Sequence, residues 1–169
     1  LFRSAGASEL AWPTDALSAI LVATCSWKWG LRRSFIMPLL AMLHIATLWL
    51  SIGLALSSLS GLVHMAGGQL SPLLYLHALG VGYFSSMLIG MATRVTLGHS
   101  GRMLSDDKIS WPLFWAFQGV AVVRVLGEVL PGSGHAYALA IVGWLVVFGL
   151  WNKAHLWMYF KPRPDGEAG

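Results

Sequence analysis

From Phe35 to Leu62 the sequence carries no Asp, Glu, Lys or Arg. About 20 helical residues cross the hydrocarbon core of a bilayer, so this stretch can span one with residues to spare. In lipid an unpaired backbone N–H or C=O is expensive, and a helix satisfies these groups within the segment. With four further apolar runs, this stretch makes five predicted spans, at 11–29, 35–62, 72–98, 111–130 and 136–160. The predicted fold class is all-α: a polytopic transmembrane helix bundle of about five spans, one helical region over 1–169. The first span is the weakest, with Pro13 and Asp15 near its start.

Composition supports this reading. Only 11% of the residues are charged, whereas a water-soluble surface asks for roughly a quarter. The net charge of +4 is dispersed along the chain, and no basic stripe marks a nucleic-acid partner. Cys25 is the single cysteine. That excludes an intrachain disulfide and argues against a covalently attached c-type haem, which needs a Cys-x-x-Cys-His site. The sequence opens on Leu with no charged segment before a short apolar run, so no signal peptide is read. The expectation is the C-terminal part of a longer membrane protein, with earlier helices of that protein as partners.

Lys and Arg alternate between connections. Lys28, Arg32 and Arg33 follow the first span, Arg102 and Lys108 follow the third, and Lys153, Lys161 and Arg163 lie at or beyond the end of the fifth. The connections after the second and fourth spans have none. By the positive-inside rule the odd connections and a flexible tail over 161–169 are cytoplasmic, with Arg3 alone against this placement. Trp27, Trp29, Trp111, Trp115 and Trp157 fall at the same boundary, where an amphipathic indole ring is most stable.

Ionisable residues within spans are costly in lipid, so each suggests a partner or a function. His44 and His77 are the most deeply placed histidines; His99 and His155 sit near cytoplasmic ends, and His64 and His135 at the outer boundary. Imidazole suits haem iron and copper, while the plainer reading is a hydrogen bond to a neighbouring helix. His44 and His77 are offset in depth by about 15–20 Å, from a rise of about 1.5 Å per residue. Two separate sites, or partners on other helices, suit them better than one shared ion. Arg124 and Glu128 share a helix face as a neutralising pair, or Arg124 anchors a haem propionate. Gly82, Ser86 and Gly90 recur every four residues and form a packing face, since small residues let helices approach closely.

The run His77-Ala78-Leu79, continuing to Thr93-Arg94-Val95, then Leu97-Gly98-His99-Ser100-Gly101-Arg102, resembles the NnrS family. Pro38-Leu39-Leu40, Leu43-His44, Trp49 and the Arg163-Pro164-Asp165-Gly166 tail extend the resemblance over most of the chain. Gly80 and Thr47 depart from it, the family usually having Thr and a nearby aromatic residue there. The resemblance implies a bacterial inner (cytoplasmic) membrane protein containing haem and copper. It also implies a role in the nitric oxide response and nitrosative stress resistance in denitrification. A non-covalent haem b suits a chain without Cys-x-x-Cys-His, and nitric oxide, small and uncharged, could reach a bundle core through the bilayer. The expected metal ligands are His44, His77 and His99. Arg94, Arg102 and Arg124 are expected to meet cofactor propionates or anions. No reaction is readable. A cofactor-free transporter and a structural subunit are the alternatives.

Overall fold

Pro38 stands in the first turn of the longest helix, where its missing N–H leaves no helical bond unmade and its fixed φ suits the geometry. The computed structural model describes residues 11–103, 108–130, 132, 134–164 and 166. Arg3 and the end of the predicted tail lie outside the described residues. The elements are α1 (Ala11–Lys28), α2 (Leu31–Ser34) and α3 (Pro38–Met65). A continuous helix, Leu73–His99, follows. It comprises α4 (Leu73–His77), a π-helical segment (Ala78–Ser85) and α5 (Ser86–His99). The chain goes on through α6 (Ser110–Leu126) and α7 (Gly134–His155) to a 3-10 turn over Leu156–Phe160.

Pro38–Met65, Leu73–His99 and Gly134–Phe160 are long and apolar enough to cross a membrane, and α6 is a shorter apolar helix. With no strand among the described residues, the chain is an all-α membrane helix bundle. The 18-residue α1 is not one of those three helices, but it packs along α3 for most of its length.

Two helices end in the same way. Beyond α3, Gly67 (φ 79) donates to the His64 carbonyl, and Gly68 donates to that of Val63. Beyond α5, Gly101 (φ 67) donates to Gly98, and Arg102 to Leu97. This paired bonding satisfies carbonyls that a helix end leaves open, and it requires a left-handed residue that glycine adopts without strain.

Successive long helices run antiparallel. Along α1 and α3, Trp12 meets Ser58, Ala19 meets Ser51 and Ser26 meets His44. Both sets advance by seven residues in opposite directions, so one polar seam runs the length of the hairpin. Between α3 and the next helix, Gly53 lies under Leu79, Gly82 against the Trp49 ring and Gly90 against Met42 and Leu43. Gly82 and Gly90 are thus contact points where α3 approaches closely, as small residues permit. Ser86, on the same face, accepts from Nε2 of Gln118 in α6 at 3.0 Å, and Oε1 of Gln118 accepts from Nε1 of Trp49 at 2.7 Å. One buried amide therefore ties three helices.

Phe114, Phe117, Met42 and Ile89 fill the main core. Large apolar side chains such as Leu139, Val142, Leu145 and Val146 cover the outside of α7, as expected where the solvent is lipid. The antiparallel order gathers Lys28, Arg32, Arg33, Arg102, Lys108, Lys153, Lys161 and Arg163 at one end of the bundle. Arg124 is the one Lys or Arg near the other end among the described residues.

Candidate functional site

Near that weakly charged end, the antiparallel pairing of α4 with α6 sets the last residue of α4 opposite the last turn of α6. His77 and Arg124 meet there, Nη2 of Arg124 lying 2.8 Å from Nε2 of His77. Nη1 of the same guanidinium donates to Oε1 of Glu128 at 2.6 Å. The other carboxylate oxygen of Glu128 accepts from Ser71 at 2.8 Å, and the guanidinium carbon stands 4.3 Å from the centre of the Tyr137 ring. The Glu128 side chain is 3% exposed, Arg124 16% and His77 22%. A carboxylate this deep is tolerated because Arg124 and Ser71 supply both charge and hydrogen bonds.

Arginine has no acceptor, so the ring nitrogen facing it must accept. His77 is therefore neutral in this geometry, with its proton on Nδ1. That atom lies 3.3 Å from Oε1 of Glu128 but makes no hydrogen bond among the described residues. His77 thus engages the pair through Nε2, while Nδ1 stands near Glu128 without bonding it. Immediately after His77 the helix widens into the π segment, where the Ser85 hydroxyl donates to the Gly80 carbonyl five residues earlier at 3.1 Å. Such widened turns are rare and are frequent at functional sites. A cavity of about 240 Å³ opens beside this cluster, between the π segment, α6 and α7.

His44 occupies a different setting. It is 8% exposed, and its Nδ1 lies 3.1 Å from the Ser26 hydroxyl across the α1–α3 seam. Nε2 makes no hydrogen bond among the described residues. A ring held through one nitrogen, with the other uncommitted, is the arrangement that outer hydrogen bonds give to metal-binding histidines. The structure does not bring His44 and His77 together. They lie on sequence-adjacent helices in separate hydrogen-bonded groups.

At the basic end, His99 is exposed and lines a cavity of about 210 Å³ with Thr96, Tyr159, Lys161 and Arg163. Arg102 leaves the α5 terminus in the other direction. Its guanidinium sits 4.7 Å from the Trp157 ring, and with Lys108 it lines a second cavity of about 470 Å³. Met158 borders both spaces. Arg94 is exposed on α5.

Sequence reasoning placed His155 near a cytoplasmic helix end and left it out of the expected ligands; it is only 2% exposed. Its Nδ1 donates to the Trp151 carbonyl at 2.9 Å, so in the neutral ring Nε2 accepts from the Ser110 hydroxyl, 3.1 Å away. Ser110 accepts from Thr93 at 3.4 Å, and Thr93 accepts from Nε1 of Trp151 at 2.8 Å. The bonds close into a ring linking α5, α6 and α7. Spacing alone carried no signal for it, because its members lie on three separate helices. Ser71 and Tyr137 were missed for the same reason. Among the described residues, no three His, Cys, Asp or Glu side chains gather as a metal site.

A family model described as NnrS protein matches residues 1–163. The chain belongs to the NnrS family. Comparison with curated proteins and with solved structures finds no match. The stretch that carries the family resemblance begins at His77, where α-helix gives way to π-helix, and ends at Arg102, where the glycine turn leaves α5. In this NnrS chain the Gly80 departure leaves open space: beyond its own helix backbone and chain neighbours, no atom lies within 4 Å of where a side chain would begin. The Thr47 hydroxyl bonds its own helix, at the Leu43 carbonyl.

Proposed function

We propose that this NnrS-family protein binds haem and copper in a bacterial inner membrane, with its C-terminus in the cytoplasm, and acts in resistance to nitric oxide during denitrification. The observation that carries the reading is the family match over residues 1–163, which supports a protein related to the nitric oxide response. The gathering of Lys and Arg at one end of the bundle supports the orientation.

His44 is the residue that would hold a haem: Ser26 engages Nδ1, and Nε2, which makes no hydrogen bond among the described residues, would supply the ligand nitrogen. His99 is the second candidate; Lys161 and Arg163, which line the same cavity, would be the cations for a propionate there, and Arg102 would serve one in the neighbouring cavity. His77 would coordinate only after Arg124 released Nε2, and Arg124 would reach a propionate only by leaving Glu128. Arg94 contributes a charge on the bundle exterior. Copper prefers several nitrogen or sulfur donors, and the described residues form no such set; a copper site would draw donors from outside them. When bound, a haem iron would offer nitric oxide a coordination position. The test is metal and haem analysis of the purified protein beside its His44→Ala variant: unchanged content would remove His44 from the site.

A transporter is the second reading. The favouring observation is the π-helical interruption next to buried charge in one spanning helix. Movement of a solute by metal-free protein in liposomes would support it.

A further inference from the structure

The cavity beside His77 and Arg124 has a polar inner end and an apolar mouth. His77, Arg124 and Val81 line its inner side, while Ile141, Trp144 and Leu145 of α7 form its outer side, with Trp144 37% exposed. Ile141 and Leu145 are both 59% exposed on the outer face of α7, so the mouth opens toward lipid. A ligand would enter from the bilayer, which selects a molecule dissolved there.

Charge narrows the choice. Glu128 balances Arg124, and His77 is neutral when it accepts from that guanidinium. An anionic head would add a net negative charge to a nearly buried cluster, at high cost in desolvation. A neutral head avoids this. Arg124 has five N–H donors and donates two to Glu128 and His77. Its chemistry therefore favours a neutral acceptor, such as a carbonyl oxygen. Trp144 offers an electron-rich ring on the cavity wall, with Phe148 behind it at 4.4 Å between centroids. A flat, electron-poor ring stacks well on indole.

We propose that this cavity is a binding site for the head group of a membrane quinone. A ring carbonyl accepts a hydrogen bond from Arg124, the ring lies against Trp144, and the isoprenoid tail leaves between Ile141 and Leu145 into lipid. The cavity of about 240 Å³ has to hold only the head. The proposal concerns binding and requires no haem or copper, so it stands or falls separately from the proposed function.

The test is titration of decylubiquinone into the purified protein in nanodiscs, read by quenching of tryptophan emission. The comparison is the double variant Ile141→Phe, Leu145→Phe, which narrows the mouth from its exposed side without touching the core. Decylbenzene serves as a probe with the same tail and no carbonyl. The expected result is saturable quenching by the quinone, weakened at least about tenfold in the double variant, with no competition from decylbenzene. Trp144→Phe should lose much of the quenching amplitude. Quenching that rises without saturation, or is equal in protein and double variant, would overturn the site. Equal competition by decylbenzene would overturn head-group recognition.

Discussion

Arg124 donates from Nη2 to Nε2 of His77 at 2.8 Å, joining two residues 47 positions apart. The same guanidinium grips Glu128 at 2.6 Å, so one side chain holds together the end of α4, the end of α6 and the turn beyond. Removing one member of such a buried pair costs more than removing both, because the survivor keeps its charge without compensation. Glu128→Gln is expected to destabilise the protein by about 3–5 kcal/mol, measured by thermal or denaturant unfolding in detergent. Adding Arg124→Met to it should recover part of the loss. A double variant as unstable as the sum of both singles would refute the coupling.

Trp49 sits across Gly82 and donates to Gln118. Gly82→Val would drive a branched side chain into the indole ring and is expected to cost about 1–3 kcal/mol. Trp49→Phe should cost a similar amount, by leaving Oε1 of Gln118 without its donor in the core. Unfolding midpoints check both; a neutral Gly82→Val would mean that α3 and the π segment are not in close contact.

Much of this fold is legible because lipid imposes simple rules. The charge-free run at Phe35–Leu62 corresponds to α3, Pro38–Met65, with Pro38 setting its start. Gly82, Ser86 and Gly90 announce a packing face by their spacing, and all three meet neighbouring helices there. Arg124 and Glu128 announce each other because they lie on one helix. What spacing cannot show is a partner from elsewhere in the chain. His77 reads as an isolated imidazole until α6 is placed against α4, and His155 reads as a boundary residue until Ser110 and Trp151 close around it. The seam between α1 and α3 did leave a trace: Trp12, Ala19 and Ser26 advance by sevens, as do His44, Ser51 and Ser58. The π segment has no comparable signature beyond two glycines.

His155 and His44 should separate in their effects. His155 closes a ring of hydrogen bonds among three helices, so His155→Ala is expected to destabilise by about 1–3 kcal/mol through unpaired buried groups. Haem and copper content per folded protein should not change. Loss of cofactor at unchanged stability would instead move His155 into the binding site.

Ser26 acts on any cofactor only through His44. Ser26→Ala leaves the imidazole in place but free to rotate, and loss of such an orienting bond typically weakens metal binding about 10–100-fold. The expected result is reduced affinity with retained binding, against complete loss for His44→Ala. Identical affinity in Ser26→Ala and the unmodified protein would show that this bond does not position a ligand.

The absorption spectrum of the purified protein, oxidised and then reduced, tests the haem assignment most directly. A Soret band that shifts on reduction and on addition of nitric oxide, and is lost in His44→Ala, is the expected result. Absence of a Soret band in both redox states would contradict it.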